Sequence, residues 1–388
     1  MLSNHFLSAE ERADLDLFRQ SLERFCDAEI EPHYAAWEKA GQVPRELFLK
    51  MGQQGYLCAD VPDAHGGPGA PVQFSFAVVE VLSRRGYAGF VGGLQVHNDI
   101  VPPYLLHCGT EAQRAYWLPR MASGEAVAAI GMTEPGAGSD LKALRTTARR
   151  DGDGYVINGS KIFISNGQHA DLLVLAAKTD ASAGAKGVSL FLVDTTTPGF
   201  SRGRNLDKIG HHAGDTSELF FEDMRVPADA LLGGVEGQGF VQMMRELPRE
   251  RLIIGVQALY GARGALDATL EYVQQRQAFG QAIAQFQNTR FTLAQCATDI
   301  AAAEAFLNAC VHAYTQGQLT PEAVSALKLH TTELFSRVAD ACLQLFGGYG
   351  YMAEYPISRF WTDARVLRIY GGTSEIMKEL VARSLLGR

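Results

Sequence analysis

The segment ELPRERL, residues 246–252, places two glutamates four residues apart with a proline between them. Proline in a helix interior costs about 3 kcal/mol, and like charges at this spacing also oppose a helix. A segment that breaks two local rules is a candidate functional site, and a carboxylate held there suits general-base chemistry. The alternative is a kinked or newly started surface helix, in which Arg249 and Arg251 neutralise Glu246 and Glu250.

A second candidate site is the glycine-containing loop TEPGAGSD, residues 133–140. The two glycines that flank Ala137 let the backbone approach an anion closely, and Ser139 adds a hydroxyl group. The loop is not a Rossmann fingerprint, because Leu141 stands where a third small residue is required and no βαβ unit surrounds it. A ligand-binding loop and an ordinary turn at a domain boundary both remain open.

A third candidate combines a cation with an aromatic ring. RQAFG, residues 276–280, follows a predicted helix, and Gln287 comes shortly after it. In the simpler interpretation, Arg276 caps the helix and Phe279 packs in the core. The sequence alone favours that interpretation over a ligand contact.

Two glycine pairs occur near the C-terminus. GGYGY, residues 347–351, is typical of a helix end followed by a turn. GGTSE, residues 371–375, opens the last predicted helix, where free N–H groups suit a phosphate or a carbonyl oxygen. Thr373 or Ser374 is equally suited to be a plain N-cap.

Composition and charge exclude several classes of function. A net charge of −8 disfavours nucleic acid as a partner. No apolar run has the length of a membrane span, and the N-terminus turns acidic without a signal-peptide pattern, so we expect a cytoplasmic protein. The alternative is a mature mitochondrial-matrix protein that has already lost its leader. Six scattered cysteines form no CxxC pair, and the adjacent His211 and His212 point apart, so we expect reduced thiols and no metal site.

The residues between these motifs predict three consecutive domains. Residues 1–122 have apolar residues at helical spacing, residues 123–232 have short strand-like runs, and residues 233–388 return to long helical runs. Asn158-Gly159 between two apolar runs predicts a β-hairpin, so we expect a small barrel or sandwich there. Four long helical runs with short connections predict an antiparallel four-helix bundle in the last domain. The fold class is α+β, in the order α, β, α.

In this order the motifs resemble those of the acyl-CoA dehydrogenases, a family of flavoenzymes. The resemblance covers nearly the whole chain and is closest to the long-chain branch, because ELPRERL occurs together with YGGTSEIMKEL. It implies a helical N-terminal domain, a β-domain and a four-helix bundle, with FAD between the last two, in a homotetramer built as a dimer of dimers. The segments that carry it are MTEPGAGSD (132–140), NGSKIFISNG (158–167), DTSELFFEDMRVP (215–227), RQAFG (276–280), QLFGGYGY (344–351), EYP (354–356) and IYGGTSEIMKEL (369–380).

The resemblance also implies which residues hold the ligands. FAD contacts within the chain would come from Met132, Thr133, Ser139, Phe163, Ile164 and Ser165. A neighbouring subunit would supply Arg276, which opposes the FAD diphosphate, together with Phe279, Gln287, Gln344, Leu345, Phe346, Gly347 and Gly348. The final loop would add Thr373 and Glu375. The acyl-CoA substrate would be held by Ser139, Arg251, Tyr370, Gly371 and Gly372.

One position departs from the pattern of many family members. Where they carry the catalytic base directly after the tyrosine of the last loop, this chain has Gly371. The long-chain and isovaleryl branches instead place a glutamate before an arginine on a helix, which matches Glu250-Arg251. The resemblance therefore implies that Glu250 is the base, with a pKa raised by burial. We also expect Gly371 to leave volume for a branched or long acyl chain.

The implied reaction is α,β-dehydrogenation of a saturated acyl-CoA, of medium or long or branched chain, to the trans-2-enoyl-CoA. Glu250 would remove the α-proton, while the Gly371 N–H and a ribityl hydroxyl of FAD polarise the thioester carbonyl. The β-hydride would pass to flavin N5, and the electrons onward to an electron-transfer flavoprotein. Two alternatives are an oxidase or monooxygenase on the same scaffold, and an inactive homologue that only binds acyl-CoA.

Overall fold

Helices form the N-terminal part of the chain. The computed structural model describes residues 7–387. The first helix starts at a capping box, in which the Glu11 N–H donates to Ser8 Oγ at 3.1 Å and the Ser8 N–H donates back to the Glu11 carboxylate. The helices before the sheet are α1 Ala9–Phe25, α2 Tyr34–Ala40, α3 Glu46–Gln53, α4 Val72–Arg84, α5 Ala88–Gln95, α6 Val101–Cys108 and α7 Glu111–Ala122.

The middle part is one seven-stranded sheet in the order β1-β4-β2-β3-β7-β6, with β5 paired to β4. Its strands are β1 Ala128–Gly131, β2 Thr147–Asp151, β3 Gly154–Ser165, β4 Leu172–Lys178, β5 Val188–Asp194, β6 Phe200–Asn205 and β7 Thr216–Pro227. Alternate residues of β4 enter two different apolar clusters, one shared with α6 and α7 and one shared with β3 and β7. Burial on both faces explains why β4 reads as a continuous apolar run.

The hairpin predicted at Asn158-Gly159 is wrong. Residues Gly154–Ser165 form one continuous strand that pairs with β7 on both sides of this dipeptide. The register shifts between Ile157 and Gly159, and the Gly159 backbone has φ +150 with Thr146 packed where a Cβ would lie. The glycine therefore serves a bulge and a close approach, not a turn.

The C-terminal part is again helical, with a small hairpin. Its elements are α8 Gly239–Gln275, β8 Gln277–Ala278, β9 Gln281–Ala282, α9 Gln287–Thr315, α10 Pro321–Phe346, α11 Pro356–Ala364 and α12 Ser374–Leu385. Helix α8 continues through Pro248, and its neighbours Glu246, Arg249 and Glu250 are buried. The alternative of a newly started surface helix is therefore wrong.

The residues that the structure describes contain neither a membrane-spanning helix nor a cluster of metal ligands. Within residues 7–387, no helix is both long enough and apolar enough to cross a bilayer. In the same part of the chain, no three His, Cys, Asp or Glu side chains gather as metal ligands would. All six cysteines are free thiols.

Candidate active site

Glu250 lies on the buried face of α8 and is 7% exposed. The Tyr104 hydroxyl on α6 donates to Glu250 Oε1 at 2.8 Å. Burial raises the pKa of Glu250 to about 7, although the Tyr104 hydrogen bond and the Arg251 charge lower it, and the Glu246 charge raises it further. A carboxyl group with a pKa near neutrality is suited to take a proton at physiological pH.

The second glutamate of this segment has its own partner. His107 Nδ1 lies 3.0 and 3.1 Å from the two carboxylate oxygens of Glu246. Tyr104 and His107 are three residues apart on α6, and Glu246 and Glu250 are four apart on α8, so the two pairs share facing helix surfaces. Sequence reasoning missed Tyr104 and His107, because nothing in the sequence indicates that α6 packs against this turn of α8.

The loop before α12 lies against α8 one turn after Glu250. Gly371 and Gly372 have φ values of +63° and +96°, which favour glycine. A Cβ on Gly371 would lie 2.3 Å from Ile254 Cδ1. The Ile254 side chain therefore fills the Cβ position of residue 371, and the expectation that glycine here leaves volume for the acyl chain stays a prediction.

Side chains from three helices anchor this loop. The Thr373 hydroxyl accepts from the Ile376 N–H at 3.3 Å, so the predicted N-cap is confirmed. The other anchors are hydrogen bonds from Tyr370 Oη to Gln257 Oε1 at 2.7 Å, from Lys328 Nζ to Gly372 O at 2.6 Å and from Ser374 Oγ to Glu333 Oε1 at 2.7 Å. The Gly371 backbone is thus held in place on both sides.

The loop that follows β1 is a tight turn on a buried lysine. The Glu134 and Ala137 backbones exchange two hydrogen bonds of 3.0 Å. Lys161 on β3 donates to Met132 O at 3.0 Å and to Glu134 Oε1 at 2.8 Å, and burial lowers the pKa of Lys161 to about 8. Ser139 is exposed beyond the turn, while Met132 and Thr133 are half-buried.

The end of β3 presents an aromatic ring. Phe163 is 63% exposed and has φ +63, a strained conformation for a bulky residue. Ile164 is buried, and Ser165 is half-buried at the last position of the strand. An exposed ring on a strained backbone suits contact with a ligand rather than with the core.

The candidates expected from a neighbouring subunit gather at the other end of α8. Arg276 lies 5.2 Å from the centre of the Tyr349 ring. Phe279 is 96% exposed at the tip of the β8–β9 hairpin, so the interpretation that it packs in the core is wrong. Gln287 is exposed as the first residue of α9. A groove of about 500 Å³ is lined by Tyr272, Arg276, Ile283, Gln344, Leu345, Phe346, Gly347, Gly348, Tyr349 and Met352.

The two sets of candidates are far apart within one chain. Helix α8 is continuous from Gly239 to Gln275. At about 1.5 Å per residue, Glu250 and Arg276 are separated by roughly 40 Å. Met132 packs in the same apolar cluster as Met243 on the first turns of α8, so the first set lies at the Glu250 end.

The residues fit a large planar and anionic cofactor. Two exposed aromatic rings, Phe163 and Phe279, and the Arg276 groove offer the contacts that its rings and diphosphate need. The buried Arg251 Nε finds no hydrogen-bond partner among residues 7–387. Glu375 is exposed in the first turn of α12.

Comparison with known proteins identifies the family. Family models match the "Acyl-CoA dehydrogenase, N-terminal domain" at residues 12–125, the middle domain at residues 129–224 and the C-terminal domain at residues 237–386. The chain is 46% identical over 374 residues to the mitochondrial long-chain specific acyl-CoA dehydrogenase of Sus scrofa, covering 96% of this chain and 86% of that protein.

Solved structures agree with the family models. An acyl-CoA dehydrogenase from Geobacillus kaustophilus superposes with a TM-score of 0.94 at 45% identity, covering 98% of this chain and 99% of the other. A glutaryl-CoA dehydrogenase from Mycobacterium smegmatis, solved in complex with FADH2, gives a TM-score of 0.91 at 30% identity, covering 100% and 97%. The predicted fold is confirmed, and the chain belongs to the acyl-CoA dehydrogenase family of FAD-dependent oxidoreductases.

Proposed function

We propose that the protein dehydrogenates a saturated acyl-CoA to the trans-2-enoyl-CoA, with Glu250 as the base that removes the α-proton. The observation that carries this proposal is the position of Glu250. Its carboxyl group is buried, accepts a hydrogen bond from Tyr104 and lies one helical turn before Ile254, which touches the Gly371 loop. This position supports a proposal in which the base and the backbone donor act on the same substrate.

The chain's own residues do the proton chemistry. An α-proton becomes acidic when the thioester carbonyl is polarised, and the Gly371 N–H is the proposed donor. With a pKa of about 7, Glu250 is partly ionised at neutral pH and accepts the proton. FAD, when bound, supplies the two-electron acceptor for the β-hydride.

Two groups of residues are proposed to hold FAD. Within the chain they are Met132, Thr133, Ser139, Phe163, Ile164, Ser165, Thr373 and Glu375. From a partner subunit they are Arg276, Phe279, Gln287 and residues 344–348. The roughly 40 Å along α8 between Glu250 and Arg276 supports this division, since one cofactor cannot reach both ends of the helix in one chain. The proposal therefore requires at least a dimer, and the family resemblance extends it to a homotetramer.

The relatives support a proposal for the substrate. The 46% identity to a long-chain specific enzyme supports medium or long acyl chains. We propose that the acyl-CoA is held by Arg251, Tyr370, Gly372 and Ser139. We also propose that an electron-transfer flavoprotein takes the electrons. A cytoplasmic location is proposed as well, and the six free thiols support it.

The test is an anaerobic titration of the purified flavoprotein with acyl-CoAs of graded chain length, followed by the flavin absorbance. We expect stoichiometric bleaching that is most complete with medium or long chains. Binding without bleaching would favour an inactive acyl-CoA-binding homologue. Peroxide release during turnover in air, without an electron-transfer flavoprotein, would favour an oxidase.

A further inference from the structure

We propose that Lys328 is a positioning residue for this reaction, because it fixes the loop that presents the Gly371 N–H to the substrate carbonyl. The inference rests on the proposed function and adds a residue to it. Lys328 lies on α10, is fully buried and donates from Nζ to Gly372 O at 2.6 Å.

The loop needs such an anchor because of its own backbone. Gly371 and Gly372 are consecutive, and both have positive φ. Because glycine has the widest range of backbone conformations, this pair is intrinsically flexible. Tyr370 and Ser374 hold the loop only on either side of the glycines. Lys328 is the side chain that holds the glycine pair itself, and a donor that polarises a carbonyl must be held rigidly to act.

The surroundings of Lys328 indicate a charged role rather than simple packing. Burying an ammonium group is costly unless it is compensated, and Gly372 O supplies its hydrogen bond. Burial and the Arg251 charge on α8 lower the pKa of Lys328 to about 8, while Glu333 on α10 and Glu375 on α12 oppose this. Arg368 pairs with Glu333 at 2.9 Å and so shares that countercharge. Lys328 is thus positively charged at neutral pH and loses its proton as the pH rises above about 8.

The experiment uses the FAD-loaded enzyme and Lys328→Met, Lys328→Gln and Lys328→Arg. Methionine and glutamine remove the charge and should slow anaerobic flavin reduction roughly 10- to 100-fold, with the Kd for acyl-CoA changed less than about threefold. Arginine keeps the charge and should recover part of the rate. In the wild-type enzyme the reduction rate should fall above about pH 8, as Lys328 loses its proton. This fall should be absent in Lys328→Arg, because guanidinium does not titrate there.

A readout without turnover separates positioning from folding. Polarisation of the carbonyl of bound acetoacetyl-CoA raises its enolate fraction at fixed pH, so this fraction should fall in Lys328→Met and Lys328→Gln. The matched control is Lys208→Met, which removes another lysine that donates to a glycine carbonyl, Gly214 O at 2.7 Å, outside this loop. It should leave the enolate fraction unchanged.

Wild-type enolate formation and reduction rate in Lys328→Gln would overturn the inference. The same result in Glu250→Gln would instead overturn the proposed base, so the two failures are distinguishable. If Lys328→Met does not retain flavin, Lys328→Arg and Lys328→Gln decide: a wild-type reduction rate in both would overturn the inference.

Discussion

At the scale of single residues, the two glutamates of one helix face have different partners. Glu250 is inside and receives a hydroxyl hydrogen bond from Tyr104, whereas Glu246 faces His107, whose side chain is 42% exposed. Each neighbour shifts the pKa of Glu250 in a known direction: Tyr104 lowers it and Glu246 raises it. The pKa of the proposed base is therefore set by residues of two helices.

The pH dependence of kcat/KM tests this arrangement. The proposed base, Glu250, would act when ionised, so kcat/KM should rise with pH through about 7 and be lost below it. Tyr104→Phe removes a donor to the carboxylate and should move this rise to higher pH by roughly one to two units. Glu246→Gln removes a like charge and should move it to lower pH by roughly half to one unit.

Opposite directions in these two variants are the signature of direct effects on Glu250. Equal shifts, or none, would mean that the rise reports another group. Retained flavin absorbance in both variants serves as the control for folding.

At the scale of elements, the site depends on the contact between α8 and the loop before α12. Ile254 Cδ1 occupies the position of a side chain on residue 371, and the Gly371 φ of +63° disfavours any side chain there. This chain therefore cannot carry a carboxylate on the loop without rebuilding the contact. This contact supports the proposal that the base is Glu250 on the helix.

Substitution of Gly371 by alanine tests this contact. Strain and overpacking together should lower the free energy of unfolding by roughly 2–4 kcal/mol, as measured by thermal or denaturant unfolding. Gly184→Ala is the matched control, because Gly184 also has positive φ, +58°, but has open space around it. It should cost only about 1 kcal/mol.

Ile254→Val in the Gly371→Ala background removes the clashing methyl group and should recover part of the loss. Equal destabilisation by Gly371→Ala and Gly184→Ala would contradict the contact.

At the scale of the whole molecule, the candidate cofactor residues divide between the two ends of α8. The exposed Phe279 and the Arg276 groove lie beyond the C-terminal end of α8, far from Glu250 of the same chain. In a symmetric dimer, the Arg276 end of α8 in one chain would lie beside the Glu250 end of α8 in the other. Each chain would then complete the cofactor site of its partner.

Mixed oligomers test this division. Glu250→Gln and Arg276→Glu chains should each be inactive alone. Co-expressed, a mixed dimer contains one site with both Glu250 and the partner's intact arginine, so about a quarter of all sites should be active under random pairing. Activity at background level in purified mixed dimers would mean that Glu250 and Arg276 do not serve sites shared between chains.

The family and the fold could be predicted from sequence, because short motifs carry chemistry directly. The site residues named from the same motifs stay predictions. Tyr104, Lys328 and Ile254 could not, since their roles depend on which helix faces which. Asn158-Gly159 predicts a turn from local sequence alone. The strand that instead pairs with this segment, β7, lies about 60 residues away, so the local sequence contains no sign of it. The exposure of Phe279 contradicts the simplest interpretation of an aromatic residue, which is core packing.

The most direct measurement is the rate of anaerobic flavin reduction by a long-chain acyl-CoA in Glu250→Gln, with Glu246→Gln as the control one turn away. Loss of a general base should slow reduction by at least about 100-fold while the flavin spectrum of the resting enzyme stays unchanged. Glu246→Gln should stay within about tenfold of the wild type. Reduction of the Glu250→Gln flavin at the wild-type rate would contradict the account.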